Sequence, residues 1–210
     1  MKIDYVRFLV ASVLAVVTLA ILLHGGAIVT ICYVLIFIIP ALMEWRSMTW
    51  KCQTTYKTGI FAILAALVWF IVQVTYLHHG GIVKISYVMG IASITDSAGY
   101  IFGKTLGVRK IFPYISPNKT LAGVVGGTVS GSTFAAIFGW WKLGQSMWDA
   151  IIIGFMLSVV AQIGDLTMSY IKRQAMVKDT GSIIPGHGGV LDRIDSLIAV
   201  ILACFIIGIV

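Results

Sequence analysis

The stretch Asp149-Ala-Ile-Ile-Ile-Gly-Phe-Met-Leu-Ser-Val-Val-Ala-Gln-Ile-Gly-Asp165-Leu-Thr-Met-Ser169-Tyr-Ile171 decides the fold of this chain. It is apolar for about the 20 residues that a helix needs to cross a hydrocarbon core, yet it carries Asp165 inside it. Similar apolar stretches lie at 7–23, 27–43, 59–76, 82–103, 120–140 and 191–210. The whole chain is 59% hydrophobic and 11% charged over 210 residues. That leaves too few polar side chains to clothe a water-soluble globule, so the reading is an all-α, polytopic membrane protein with about seven transmembrane helices. One membrane-embedded domain is expected over 1–210, with helical hairpins over 1–81 and the remaining spans over 82–210.

The turns and charges orient these spans. His24-Gly25-Gly26 and His78-His79-Gly80-Gly81 are tight connections between paired stretches. No small-residue cleavage site follows the first stretch, so it is read as a retained span and not as a signal peptide. Lys2 and Arg7, then Arg46, Lys51 and Lys57, then Lys104, Arg109, Lys110 and Lys119, then Lys172, Arg173 and Lys178 fall on one side, against Lys142 on the other. The positive-inside bias places the N-terminus in the cytoplasm. The net charge of +7 is thereby accounted for by orientation and anionic headgroups, and nucleic acid is not expected as a partner. Cys32, Cys52 and Cys204 are far apart and form no CxxC pair, which excludes a disulfide framework or a zinc site.

Four carboxylates sit where they are expensive. Asp96 lies in the fourth stretch, Asp165 in the sixth, and Asp192 and Asp195 at the start of the seventh. Such a group must be paired, bind metal or face a wet cavity; a structural partner such as Lys84 or Arg193 is the alternative to a functional role. On a helix, Asp165, Ser169, Lys172 and Arg173 follow one face, and Asp192 and Asp195 share another. Carboxylates beside Lys and Arg suit metal-assisted phosphoryl or nucleotidyl transfer, since oxygen ligands hold a hard divalent cation that offsets phosphate charge. Between the two faces lie Lys178-Asp179-Thr180-Gly181 and Pro185-Gly186-His187-Gly188-Gly189. Glycines at that density let backbone N–H groups point at phosphate oxygens, although a plain turn reads the same way. His187 either orients a phosphate or satisfies a local hydrogen bond. Ser116-Pro117-Asn118-Lys119-Thr120 opens a helix, where capping by Ser or Asn beside a Lys makes an anion site or an ordinary helix start. No Walker P-loop occurs.

Ser169-Tyr-Ile-Lys-Arg, Lys178-Asp179-Thr-Gly and Pro185-Gly-His-Gly-Gly-Val-Leu-Asp-Arg-Ile-Asp195, at this spacing, closely resemble the motif of the phosphatidate cytidylyltransferase (CDP-diacylglycerol synthase) family. Asp96-Ser-Ala-Gly-Tyr-Ile-Phe-Gly103 and the 116–120 segment resemble the family's other recurrent segments, in the expected order, so the resemblance covers roughly residues 90–210. It implies an all-helical bacterial inner-membrane homodimer with its site open to the cytosol, acting on CTP and phosphatidate with Mg²⁺, alone or beside a second cation. It further implies that Asp165, Asp192 and Asp195 hold metal. Lys172, Arg173, Lys178 and Arg193 would hold phosphates within a catalytic set that also includes Asp179 and His187. Asp96, Ser116, Asn118, Lys119, Thr120, Ser169, Gly188 and Gly189 would contact substrate. The chain departs from the family pattern at Met168, where a Glu is common, at Leu121-Ala122, where Trp and an acid or amide are common, and in a shorter N-terminal part.

A reaction consistent with these residues is direct attack of the phosphatidate oxygen on the α-phosphorus of CTP, which needs no Ser-His-Asp arrangement. The competing readings are a CTP-dependent polyprenol-type lipid kinase or ether-lipid cytidylyltransferase, a cation-coupled transporter and a non-catalytic scaffold. The one-sided clustering of charge disfavours the last two.

Overall fold

The computed structural model describes residues 26–49, 81–183 and 188–207, together with positions 13, 16–18, 20, 21, 24, 59, 60 and 63. Among the described residues five helices form: α1 (Gly26–Thr49), α2 (Gly81–Leu106), α3 (Leu121–Leu143), α4 (Met147–Gln174) and α5 (Leu191–Ile207). They match the apolar stretches expected at 27–43, 82–103, 120–140, 149–171 and 191–210. The expected spans at 7–23 and 59–76 lie largely outside the described residues. No strand occurs among the described residues, so the architecture is all-helical as expected. Among the described residues, three helices contain segments long and apolar enough to cross a membrane: Cys32–Thr49, Leu121–Leu143 and Met147–Gln174.

The chain divides into two compact units. Unit one comprises Met1–Ile82 and Ala175–Ile194; unit two comprises Val83–Gln174 and Asp195–Val210. In unit one, α1 contains Pro40, which removes one helical N–H, a loss that membrane helices tolerate. One turn later come Glu44 and Trp45, both buried. Trp45 packs so closely on Gly59 that no side chain fits there.

Unit two is built on small residues. Gly123 and Gly127 of α3 are four apart and face α2, where added Cβ atoms would lie 2.6 Å from Gly99 O and 2.7 Å from Thr95 O. Continuing the stripe, Gly131 meets the hydroxyls of Thr95 and Ser158, which bond each other at 3.1 Å. Helices α3 and α4 pack together, with Gly154 against Ser132 and Ala135. Large apolar side chains point the other way: Val125, Val129, Ile137, Phe155 and Ile163 are all more than half exposed. Small inside and large outside inverts the soluble pattern and matches helices that associate in lipid, where close backbone approach replaces the hydrophobic drive. Trp140, Trp141 and Trp148 are exposed around the α3–α4 turn, with Lys142 over the Trp141 ring at 3.7 Å, a composition suited to a membrane–water interface.

Gly127→Ala is expected to destabilise by about 1–3 kcal/mol, because the new methyl overpacks a backbone contact. Val129→Ala, on the exposed face, should stay within about 0.5 kcal/mol of the parent. Thermal unfolding of the purified protein in detergent compares them; equal effects would contradict the close α2–α3 contact.

Candidate active site

In unit one, the segment around 178–193 is organised by two carboxylates. Asp192, in the first turn of α5, accepts from Thr180 N at 2.9 Å and from Gly189 N at 3.1 Å through Oδ2. Gly188 permits this approach: its φ is +83°, and a Cβ there would lie 3.0 Å from Asp192 Oδ2 and 3.4 Å from Asp179 Cβ. The second carboxylate is Glu44, only 5% exposed. Its Oε1 accepts from Val190 N at 3.0 Å, and its Oε2 accepts from Leu191 N at 2.9 Å and from the Thr180 hydroxyl at 3.0 Å. An anion at the start of α5 also suits the positive end of the helix dipole. Each buried N–H left without such an acceptor would cost about 1–3 kcal/mol. Of the backbone N–H groups in the two glycine-rich segments, those of Thr180 and Gly189 donate to Asp192, and those of Val190 and Leu191, just beyond, donate to Glu44. Lys178, Asp179 and Arg193 stay exposed at this segment. Pro185, Gly186 and His187 lie outside the described residues.

In unit two, the loop before α3 closes on itself through Ile111 N to Lys119 O (3.2 Å), Leu121 N to Arg109 O (2.9 Å) and the Lys110–Thr120 bridge. The helix cap is Thr120, whose hydroxyl accepts from Gly123 N at 3.2 Å. The expected capping by Ser116 or Asn118 therefore shifts to the end of that segment. Ser116 instead supports the loop, donating its N–H to Phe112 O and accepting from Lys119 N. Asn118 is exposed. Lys119 reaches α4, with its Nζ 2.6 Å from Asp165 Oδ2 and 3.4 Å from Gln162 O. Further along the same helix, Arg173 Nε donates to Ile115 O at 3.3 Å. The 116–120 segment and the Asp165–Arg173 face, read separately in the sequence, therefore meet.

Two further unit-two carboxylates, Asp96 and Asp195, lie at the contact of α5 with α4. Ser196 Oγ donates to Asp96 Oδ2 at 2.5 Å. A Cβ on Gly164 would lie 3.2 Å from Asp195 O, so α4 and α5 touch one residue from Asp165. Ser169 is buried, as is Met168 at the position where the family commonly has Glu.

Among the described residues, no three His, Cys, Asp or Glu side chains converge into a metal cage. The donors present are carboxylate oxygens, which suit Mg²⁺. That ion is usually held by one or two carboxylates completed by substrate phosphate and water, so the residues fit it without a full protein cage.

Three polar groups were missed by sequence reasoning. Gln162 bonds Val124 O and Thr128 Oγ1, and Ser196 bonds Asp96. Glu44 had a usable signal, since it is the only glutamate of the chain and directly follows an apolar stretch. Its partners lie 136 to 147 residues away, and no spacing rule reaches that far.

A family model described as the cytidylyltransferase family matches residues 60–210. A phosphatidate cytidylyltransferase of Brucella melitensis is 31% identical over 205 residues, covering 95% of this chain and 70% of the relative. One from Bacillus subtilis is 42% identical over 132 residues, covering 62% of this chain and 49% of the relative. A third, from Staphylococcus haemolyticus, is 38% identical over 122 residues, covering 58% and 47%.

Asp192→Ala should deprotect the amides of Thr180 and Gly189 in residue-resolved hydrogen exchange, while those of Val190 and Leu191 stay slow on Glu44. Unchanged exchange at Thr180 and Gly189 would contradict the Asp192 clamp.

Proposed function

This chain belongs to the cytidylyltransferase family, and from that membership we infer that it transfers the cytidylyl group of CTP to phosphatidate, giving CDP-diacylglycerol and pyrophosphate. The observation that carries this reading is the 2.6 Å contact of Lys119 with Asp165. It joins a cation from the nucleotide-side segment to the carboxylate that precedes the 169–195 motif, and Arg173 adds a second tie to the same loop.

The phosphate monoester of phosphatidate has a second pKa near 6, so at neutral pH its oxygen is already nucleophilic. That oxygen forms a bond to the α-phosphorus of CTP. The bond from the α-phosphorus to the bridging oxygen breaks, and its electron pair leaves with pyrophosphate. No general base is required. Lys172, Arg173, Lys178 and Arg193 are assigned to the phosphates, where preorganised cations stabilise charge that develops in the transition state. Ser116, Asn118, Lys119 and Thr120 are assigned to the nucleotide, and Asp96, Ser169, Gly188 and Gly189 to substrate contact. Asp179 and His187 complete the proposed set. Mg²⁺, which Asp165, Asp195 or Asp192 would hold, supplies charge neutralisation on the phosphates.

The lipid substrate suits the exposed apolar surfaces of the helices. Its acyl chains stay in the bilayer while its headgroup meets CTP at the rim. The basic loops favour the cytoplasmic side of a bacterial inner membrane for that rim, and a homodimer is the assembly expected from family membership.

In vesicles containing phosphatidate, the protein should form CDP-diacylglycerol only with Mg²⁺ present. Asp165→Asn and Lys119→Met should each lower turnover about 10²–10³-fold, the scale seen when one electrostatic stabiliser is removed. Near-normal turnover of Asp165→Asn would contradict the carboxylate assignment. Absence of CDP-lipid from the parent protein would overturn the function.

A further inference from the structure

We propose that Glu44 is a positioning residue for the reaction, holding the segment that carries Asp192 from a helix outside the family motif. The inference rests on the cytidylyltransferase reading given above.

Glu44 belongs to α1 and is buried, yet among the described residues the three hydrogen-bond partners of its carboxylate lie between 180 and 191. Two of them, Val190 N and Leu191 N, immediately precede Asp192. The third, the Thr180 hydroxyl, belongs to the residue whose own N–H is held by Asp192. Thr180 is therefore gripped by both carboxylates, and displacement of one is felt by the other. The backbone around Glu44 leaves no slack. A Cβ on Gly181 would lie 2.5 Å from Glu44 Oε1, and one on Gly189 would lie 2.5 Å from Glu44 Oε2. The carboxylate is seated directly on two glycine positions of the loop.

This geometry separates positioning from mere packing. A side chain that only filled space would make apolar contacts, and an amide of equal size would replace it. Glu44 presents two acceptor oxygens to three donors, whereas a glutamine offers one acceptor oxygen and an NH₂ that cannot accept. Glu44→Gln therefore keeps the volume and removes acceptor capacity at the residue beside Asp192. Outer groups that orient ligating carboxylates are typically worth 10- to 100-fold in metal affinity or activity.

The test uses the full chain in phosphatidate vesicles with CTP, comparing the parent with Glu44→Gln and with Thr180→Ala, which removes a single donor. Two quantities are measured for each: the Mg²⁺ concentration at half-maximal turnover, and residue-resolved amide exchange without CTP. For Glu44→Gln, half-saturating Mg²⁺ should rise about 10-fold or kcat per folded enzyme fall by a similar factor, as for other outer-shell losses. The Val190 and Leu191 amides should exchange faster. Thr180→Ala should shift the same quantities in the same direction by a smaller factor, and it carries the test if Glu44→Gln does not fold. A lower melting temperature with unchanged Mg²⁺ half-saturation and unchanged kcat would overturn the proposal and leave Glu44 a structural residue. An inactive parent protein would instead overturn the functional reading, with the inference resting on it.

Discussion

Glu44 Oε1 and Oε2 take three hydrogen bonds from residues 136 to 147 positions further along the chain, and these bonds fix Thr180, Val190 and Leu191 around one carboxylate. Buried polar groups without partners are costly in a low-dielectric interior. Here the cost is offset in both directions at once, because the carboxylate needs donors and the start of α5 has N–H groups without helical acceptors. Asp192 answers the same need from inside the segment, accepting from Thr180 and Gly189. The glycines at 181, 188 and 189 leave room for these two carboxylates.

The second unit meets the same constraint with a cation. Asp165 is a negative charge within a largely apolar helix, and Lys119 reaches it because the 109–120 loop folds back through its own backbone bonds. The pair is partly exposed, at 19% and 33%, so its contribution to stability is screened and modest. Its importance lies in placement: it sets a positive nitrogen on the helix face that also carries Arg173. The small-residue contact between α2 and α3 supports this, since Thr120, which caps α3 directly after Lys119, lies beside Gly103 of α2.

Helices α1 to α5 were legible because apolar length dictates them in a membrane chain, and the expected 149–171 falls within three residues of α4 at each end. The motif residues were legible as a set through fixed spacing. Their connections were not. Nothing in the spacing of 116–120 and 165–173 says that Lys119 meets Asp165, because that contact depends on how the intervening loop closes. The cap of α3 was placed on Ser116 or Asn118 in the reading of that segment, and the structure gives it to Thr120, whose extended backbone and hydroxyl geometry decide the matter locally. The glycine-rich segments read equally as a phosphate-facing loop or a plain turn; what no spacing revealed is that the N–H groups of Thr180, Gly189, Val190 and Leu191 bond carboxylates of the chain, one of which, Glu44, comes from a helix with no motif at all.

Cytidylyl transfer forms the new bond at the α-phosphorus of CTP, with pyrophosphate as the leaving group. Separate reactions with CTP labelled at the α- or the γ-phosphorus, in vesicles containing phosphatidate and Mg²⁺, test this most directly. The expected result is α-label in the lipid fraction and γ-label in soluble pyrophosphate. γ-Label in the lipid, with CDP released, or no label in the lipid from either nucleotide, would contradict it.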